Sequence, residues 1–495
     1  MLPRQFTTVG LTAGVIVGSI WLLLHSLHYP LHPTRGHYPP HLYEHNDSVW
    51  NTSSSASLPP RRRKSIVVAS SFPYHFDVYM AAAKTIGDVL DSEPEDADER
   101  GVIHRFTPDF GFGFEDVVEE LGLWKHKGTR GRPEELANFI SADTGAGGVD
   151  LIVFGTCEVD LGFWHNDLVA AWEQRDADHK FKIVCIVHNV EDTRWQVHIT
   201  HWARRDAIRL LPIADHVKNT FREKFGAMAD SSDPELYTAG YQYIPIDVHV
   251  PILDIADLPI KPLPRQLVYA VIQGTLVANR RDYLRFFSDL IASLHEDAAA
   301  WGYHPLNGRA SFEPNFDSRV APFQLLLVGA GGIEIPAELA FIATVHHDLA
   351  YKDFYKLVAS ADIVVPAFAQ FGYFRDQASS TVALATELNV PLLVTERLRR
   401  TYGYIDDARA VVTRPAAMSE VQALKALRTG DASAFLNSDP ARVGVTMGAV
   451  RGVREAVDRM LRDGWERDQG EWMDWRHEVW ERNWAVVDRI LRDMP

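Results

Sequence analysis

Two stretches in the second half of the 495-residue chain place cations, hydroxyls and glycine where a diphosphate could be held. In VIQGTLVANRRDYLRF (271–286), Gly274 lets the backbone turn sharply off an apolar run, and Arg280 with Arg281 opens the next predicted helix. Guanidinium groups carry a permanent charge and a fork of donors. They suit a leaving diphosphate whose negative charge grows as its bond breaks. An Arg pair opposes the dipole at a helix start, which weighs against a merely solvated pair. The second stretch, FGYFRDQASSTVALATELNVPLLVTE (371–396), sets Ser379, Ser380 and Thr381 at a predicted helix start. Their hydroxyls and the free N–H groups of a first helical turn form an anion site, whereas a plain N-cap needs only one serine.

The first half offers imidazoles. His188 and Asn189 follow the apolar run FKIVCIV, and His75 follows an earlier run in SSFPYHFDVY. Either ring could donate to a hydroxyl or phosphate, or act as a base, although a lone histidine is often structural. Glu191 and Asp192 are further acidic candidates. No His/Cys/Asp cluster has metal-ligand spacing, so no metal site is expected, and no nucleophile motif of the G-x-S-x-G kind occurs. The run VGAGGIEIP (328–336) invites a dinucleotide-binding reading, yet Glu334 stands at the sixth position of the fingerprint. A glycine turn after a strand is the better account, which disfavours an NAD-dependent oxidoreductase.

These groups need a frame that brings distant segments together. From residue 65 onward, short β-branched runs alternate with helical stretches, the pattern of parallel sheets covered by helices. Predicted strands are SIVVASS, DLIVF, FKIVCIV and 209–212, then LVYAVIQG, FQLLLVGAGG, DIVVPAF and VPLLVTE. The proline-rich stretch IADLPIKPLPRQ (255–266) separates the two groups as a linker. Residues 65–262 and 263–440 are therefore expected as two domains with a cleft between them, where α/β proteins bind ligands at strand ends. Residues 441–495, with Trp465, Trp472, Trp475, Trp480 and Trp484, read as helices packing an aromatic face on the body. A formal net charge of -16 argues against broad nucleic-acid binding. Cys157 and Cys185 are the only cysteines, expected as two buried core thiols.

Ahead of these domains, residues 1–8 form a short tail, and residues 9–27 (VGLTAGVIVGSIWLLLHSL) carry no formal charge over a length sufficient to span a bilayer. Arg4 precedes this span, which places the N-terminus in the cytosol by the positive-inside rule. Residues 28–64, rich in Pro, His, Ser and Thr, read as a flexible stem holding N-glycosylation sequons at Asn46 and Asn51. The expectation is a single-pass type II protein of the Golgi or endoplasmic reticulum with a lumenal body, a cytosol-facing orientation being the alternative.

The second domain resembles the C-terminal half of GT-B glycosyltransferases, in particular the large, mostly retaining group that uses nucleotide sugars. The resemblance lies in the order QGTLVANRRDY, LLLVGAGG, HHDLAYKDFYKLVASADIVVPAF, the serine-rich helix start and NVPLLVTE. CIVHNVED is similar to the first-domain strand after which a histidine or asparagine approaches the sugar. The resemblance spans residues 65–440 and implies two Rossmann-like domains facing a cleft, and metal-independent hexosyl transfer without a cofactor. The nucleotide-diphosphate sugar would lie on Gly274, Arg280, Arg281, Ser379, Ser380 and Thr381, with His188 and Asp376 catalytic. His75 and Asn189 would meet a glycan, protein or lipid acceptor. Two departures accompany it: Asp376 and Leu384 fall near the family's paired glutamates, and SSFPYHF replaces the glycine-rich loop after the first strand. They make a catalytically degenerate, membrane-anchored scaffold the alternative.

Overall fold

The computed structural model describes residues 64–92, 101–141, 148–234, 237–238, 240–259, 261, 265–306 and 311–494. The expected span at 9–27 and the sequons at Asn46 and Asn51 lie outside the described residues. Among those described, no helix is long and apolar enough to cross a membrane.

The first sheet joins β1 (Ser65–Ala69), β2 (Val102–Phe106), β3 (Lys127–Gly131), β4 (Leu151–Phe154), β5 (Lys182–Val187) and β6 (Ile208–Pro212) in the order β3-β2-β1-β4-β5-β6. The pairs are parallel, with Val67 opposite both His104 and Ile152. Ile66 to Ala69 are buried on both faces, which is why the run is apolar throughout rather than alternating. The edge strand β3 and its neighbour β2 escape a reading by hydrophobicity because KGTRG is polar and VIHRF is interrupted by His104 and Arg105. Arg105 is nonetheless buried, held by Glu115 at 3.0 Å and by the rings of Phe110 and Trp124.

The second sheet joins β7 (Tyr269–Gln273), β10 (Gln324–Val328), β11 (Ala343–His346), β12 (Ile363–Val364), β13 (Leu392–Thr395) and β14 (Val411–Arg414) in the order β11-β10-β7-β12-β13-β14. A small hairpin of β8 (Tyr303–Pro305) and β9 (Phe312–Pro314) stands apart from it. Both sheets thus repeat the doubly wound 3-2-1-4-5-6 order, which reverses between the first and fourth strands and opens a crevice there. In the first sheet the crevice lies at the exits of β1 and β4; in the second, at those of β7 and β12.

Six helices matter to the site and its support: α1 (Phe76–Ser92), α2 (Cys157–Gln174), α3 (Asp215–Ala229), α4 (Tyr283–Asp297), α5 (Ser380–Glu387) and α6 (Gln469–Arg492). Helix α4 begins two residues later than expected. Asp282 is its N-cap, accepting from the Arg285 amide at 3.3 Å, so Arg280 and Arg281 belong to the preceding loop. The cysteines also correct the reading of the sequence: Cys157 and Cys185 form a disulfide rather than two free thiols. Sheet register explains their meeting, because Phe154 lies opposite Cys185 and α2 begins three residues after Phe154.

The last helix ties the two halves together. α6 packs against α1 of the first domain, and the Trp472 indole donates to Thr386 O in the second at 3.0 Å. Asn483, 1% exposed, accepts from the Val250 amide at 2.9 Å and donates to the Val250 carbonyl at 2.8 Å. Replacing Asn483 by leucine leaves both backbone groups buried without partners. It should cost about 3 kcal/mol, read as a lower denaturant midpoint with an unchanged slope.

Candidate active site at the facing strand ends

On the second domain, β7 ends at Gln273 and the backbone turns through Gly274 at φ 129°. β10 ends at Val328 and turns through Gly329 at φ 153°, where a Cβ would stand 1.9 Å from the Gly274 carbonyl oxygen. The two loops therefore lie backbone against backbone, joined by Gly274 N to Val328 O at 3.0 Å.

Arg281 locks this arrangement from beneath. Its Nη2 donates to Gln273 O at 3.2 Å, to Thr381 Oγ1 at 3.0 Å and to Ser379 Oγ at 3.4 Å. Its guanidinium also lies over the rings of Phe368 and Tyr373. At 3% exposure, Arg281 is a buried clamp and not the cleft-facing cation that the sequence suggested. Arg280 is only partly buried, and its charge reaches His75 of the first domain.

The hydroxyl triplet divides in the same way. Thr381 donates to Gln273 Oε1 at 2.6 Å while receiving Arg281, and the Ser379 amide donates to the Tyr402 hydroxyl at 3.1 Å. Ser380, half-buried at the first position of α5, has no side-chain partner among the described residues. Of the three, it is the hydroxyl free to meet a ligand.

On the first domain, His188 follows β5 and His75 follows β1, with ring centroids 4.3 Å apart. The Gly155 carbonyl takes one ring N–H of His188, and Nε2 is buried without a partner, which assigns the free lone pair to Nε2. Burial first, moderated by the Gly155 carbonyl and Asp77, brings its pKa down to about 4, so the ring is neutral at pH 7. His75 sits at φ 62° with Nδ1 3.2 Å from Thr156 Oγ1. Burial, then His188 and Arg280, hold its pKa well below the ordinary value.

Two carboxylates that pattern reading missed organise these loops. Asp160 accepts from the Ser71 amide at 2.7 Å, the Ser71 hydroxyl at 2.8 Å, the Ser70 hydroxyl at 3.3 Å and the Thr156 amide at 2.8 Å. Glu158 accepts from the amides of His188 at 2.5 Å and Asn189 at 2.9 Å. Both stand in the first turn of α2, and their proximity to the strand exits exists only once β4 lies between β1 and β5.

The two domains meet through backbone. Val190 N donates to Asp376 O and Ala378 N to His188 O, both at 2.9 Å, and Asn189 bridges Gln377. From α3, His216 Nε2 pairs with Gln377 O at 2.9 Å and the Thr220 hydroxyl donates to Arg375 O at 2.6 Å. His188, Asn189 and Asp376 are thereby brought together. The Asp376 carboxyl, half-buried, is pushed above its ordinary pKa by burial and by Glu191. Glu191 itself is exposed, and Asp192 pairs with Arg194 at 3.1 Å, so both lie on the outer side of this turn. Substituting Arg281 by lysine removes the fork and the planar stack together. It should destabilise the fold by about 3 kcal/mol, measured by chemical denaturation.

No protein-family model matches the chain, and no curated protein matches it. Among solved structures, it is similar to the apo form of the lipopolysaccharide outer core galactosyltransferase WaaB, with 11% identity, 84% of this chain and 98% of that one covered, and a TM-score of 0.41. An alpha-glucosyltransferase in complex with UDP matches at 8% identity over 86% and 95% of the two chains, TM-score 0.40. A putative UDP-N-acetylglucosamine 2-epimerase from Listeria monocytogenes matches at 10% identity over 87% and 95%, TM-score 0.40. Two doubly wound sheets of the same strand order, meeting through their strand exits, give this chain a two-domain α/β fold of the GT-B kind.

Proposed function

We propose that the chain transfers a hexosyl unit from a nucleotide-diphosphate sugar to a hydroxyl acceptor. The observation that carries this reading is the juxtaposition across one cleft of Arg280 and the α5 start on one side with the neutral His188 on the other. Gly274, Arg280, Ser380 and the first amides of α5 would receive the diphosphate, with Arg281 and Thr381 fixing their loops. A fixed cation and a helix N-terminus supply the charge stabilisation that a departing diphosphate needs, so the transfer is proposed to run without a metal ion or cofactor. Asp376 would touch the sugar beside the transferring carbon. His188 Nε2 would draw the proton from the acceptor hydroxyl, with His75 and Asn189 orienting that acceptor. A glycan, protein or lipid hydroxyl would fit this role. The neutral base requires pH above its pKa, so turnover should fall as pH drops through about 4.

Equilibrium titration of the full chain with a panel of nucleoside diphosphates and nucleotide sugars, in chelator, tests the reading. One nucleotide should bind, and Arg280→Ala should weaken it about tenfold or more with unchanged thermal stability. Silence across the panel would sink the transferase and leave a binding-free scaffold.

We also propose that residues 9–27 anchor the chain as a type II protein with its body in the Golgi or endoplasmic reticulum lumen. The Cys157–Cys185 disulfide supports an oxidising compartment. Glycosidase digestion of protein from cells should shift its mobility through glycans at Asn46 and Asn51, and the shift should vanish when both are changed to glutamine. An unshifted band would favour the cytosol-facing orientation.

A further inference from the structure

Glu158 is a half-buried acid for which the proposed chemistry has no use. It stands one residue beyond Cys157 at the start of α2, on the exit of β4, and reaches sideways to the exit of β5. Its Oε1 accepts both the His188 amide at 2.5 Å and the Asn189 amide at 2.9 Å, while Oε2 is buried with no partner. A carboxylate that takes two successive amides fixes the backbone that carries them. The same three-residue segment offers His188 O and Val190 N–H to the second domain, where they meet the Ala378 amide and the Asp376 carbonyl. One acid therefore stands behind a loop that presents a side chain to the cleft and its backbone edge to the other domain.

We propose that Glu158 is a positioning residue that acts through the β5 exit loop, setting His188 in the cleft and latching the Arg375–Ala378 segment of the second domain against the first. Three observations bear on it. The disulfide at Cys157 holds the start of α2 against β5, so the acid is presented from a fixed base. Burial pushes the Glu158 carboxyl up to about 7 against the pull of both amides, with Asp192 adding to the rise, a desolvation that surface capping would not incur. The bonds from His216 and Thr220 hold the second-domain segment at other points, so losing Glu158 should loosen the latch and not abolish the fold. The link to catalysis rests on the transferase reading, but the link to the latch does not.

Amide hydrogen exchange of the full chain, followed by mass spectrometry, separates the two. Glu158→Ala should speed exchange at least tenfold in peptides covering 188–190 and also 376–378, the latter in a domain that Glu158 does not touch. Peptides from β10 should keep wild-type rates. Glu158→Gln, whose amide oxygen can still accept both N–H groups, should restore slow exchange in both segments, and its rescue also covers the case in which the alanine variant does not fold. In a transfer assay with the donor found by titration, Glu158→Ala should lower kcat at least tenfold and leave donor affinity within twofold. Wild-type exchange at 376–378 in the alanine variant, or exchange in the glutamine variant as fast as in the alanine variant, would overturn the proposal. Failure of every nucleotide to bind would remove the transferase reading while leaving the exchange result to decide the latch.

Discussion

The second-domain side of the crevice depends on one buried guanidinium. Arg281 ties the exit of β7 to the start of α5 through Gln273, Ser379 and Thr381, and stacks on Phe368 and Tyr373 beyond the exit of β12. A cation at 3% exposure is costly to bury, and the carbonyl, hydroxyl and aromatic partners together offset that cost. Because its planar fork satisfies several partners at once, the exits of β7 and β12 and the start of α5 hold one geometry. Gly274 belongs to the same device, since a Cβ there would stand 2.8 Å from Arg281 Nη2.

The first-domain side reaches similar rigidity with acids. After the first strand this chain has SSFPYHF, and Asp160 collects donors from Ser70, Ser71 and Thr156. Burial pushes Asp160 up to about 7, as it does Glu158, so the two acids at the head of α2 hold their partners in a medium where hydrogen bonds are strong. Rigid loops of this kind keep His75 in the left-handed region against Thr156 and stack it on His188.

Neither half is independent of the other. The strand-like pairing of residues 188–190 with 376–378 sets the distance between His188 and Asp376, and α6 returns from the end of the chain to bind both domains through Asn483 and Trp472. The acidic loop of the second domain is thus shaped by backbone groups of the first, so the site is a property of the pair.

Sequence alone determined most of the central strands and the helices beside them, because β-branched runs buried on both faces and helices with one apolar face each leave a local, periodic trace. It also placed Gly274 and His188 at strand exits, since each ends or follows an apolar run, and Ser380 at a helix start. What it did not determine is which polar groups stay open to solvent. Arg280 and Arg281 are chemically identical neighbours, and only packing against Phe368 and Thr381 made one a buried clamp and left the other partly exposed. Strand β2 was hidden in part by Arg105, whose burial depends on Glu115 and Trp124, and β3 by its exposed polar residues. The disulfide, Glu158 and Asp160 arose from strand order, which brings β4 between β1 and β5 and is set by long-range pairing that no local window of residues encodes.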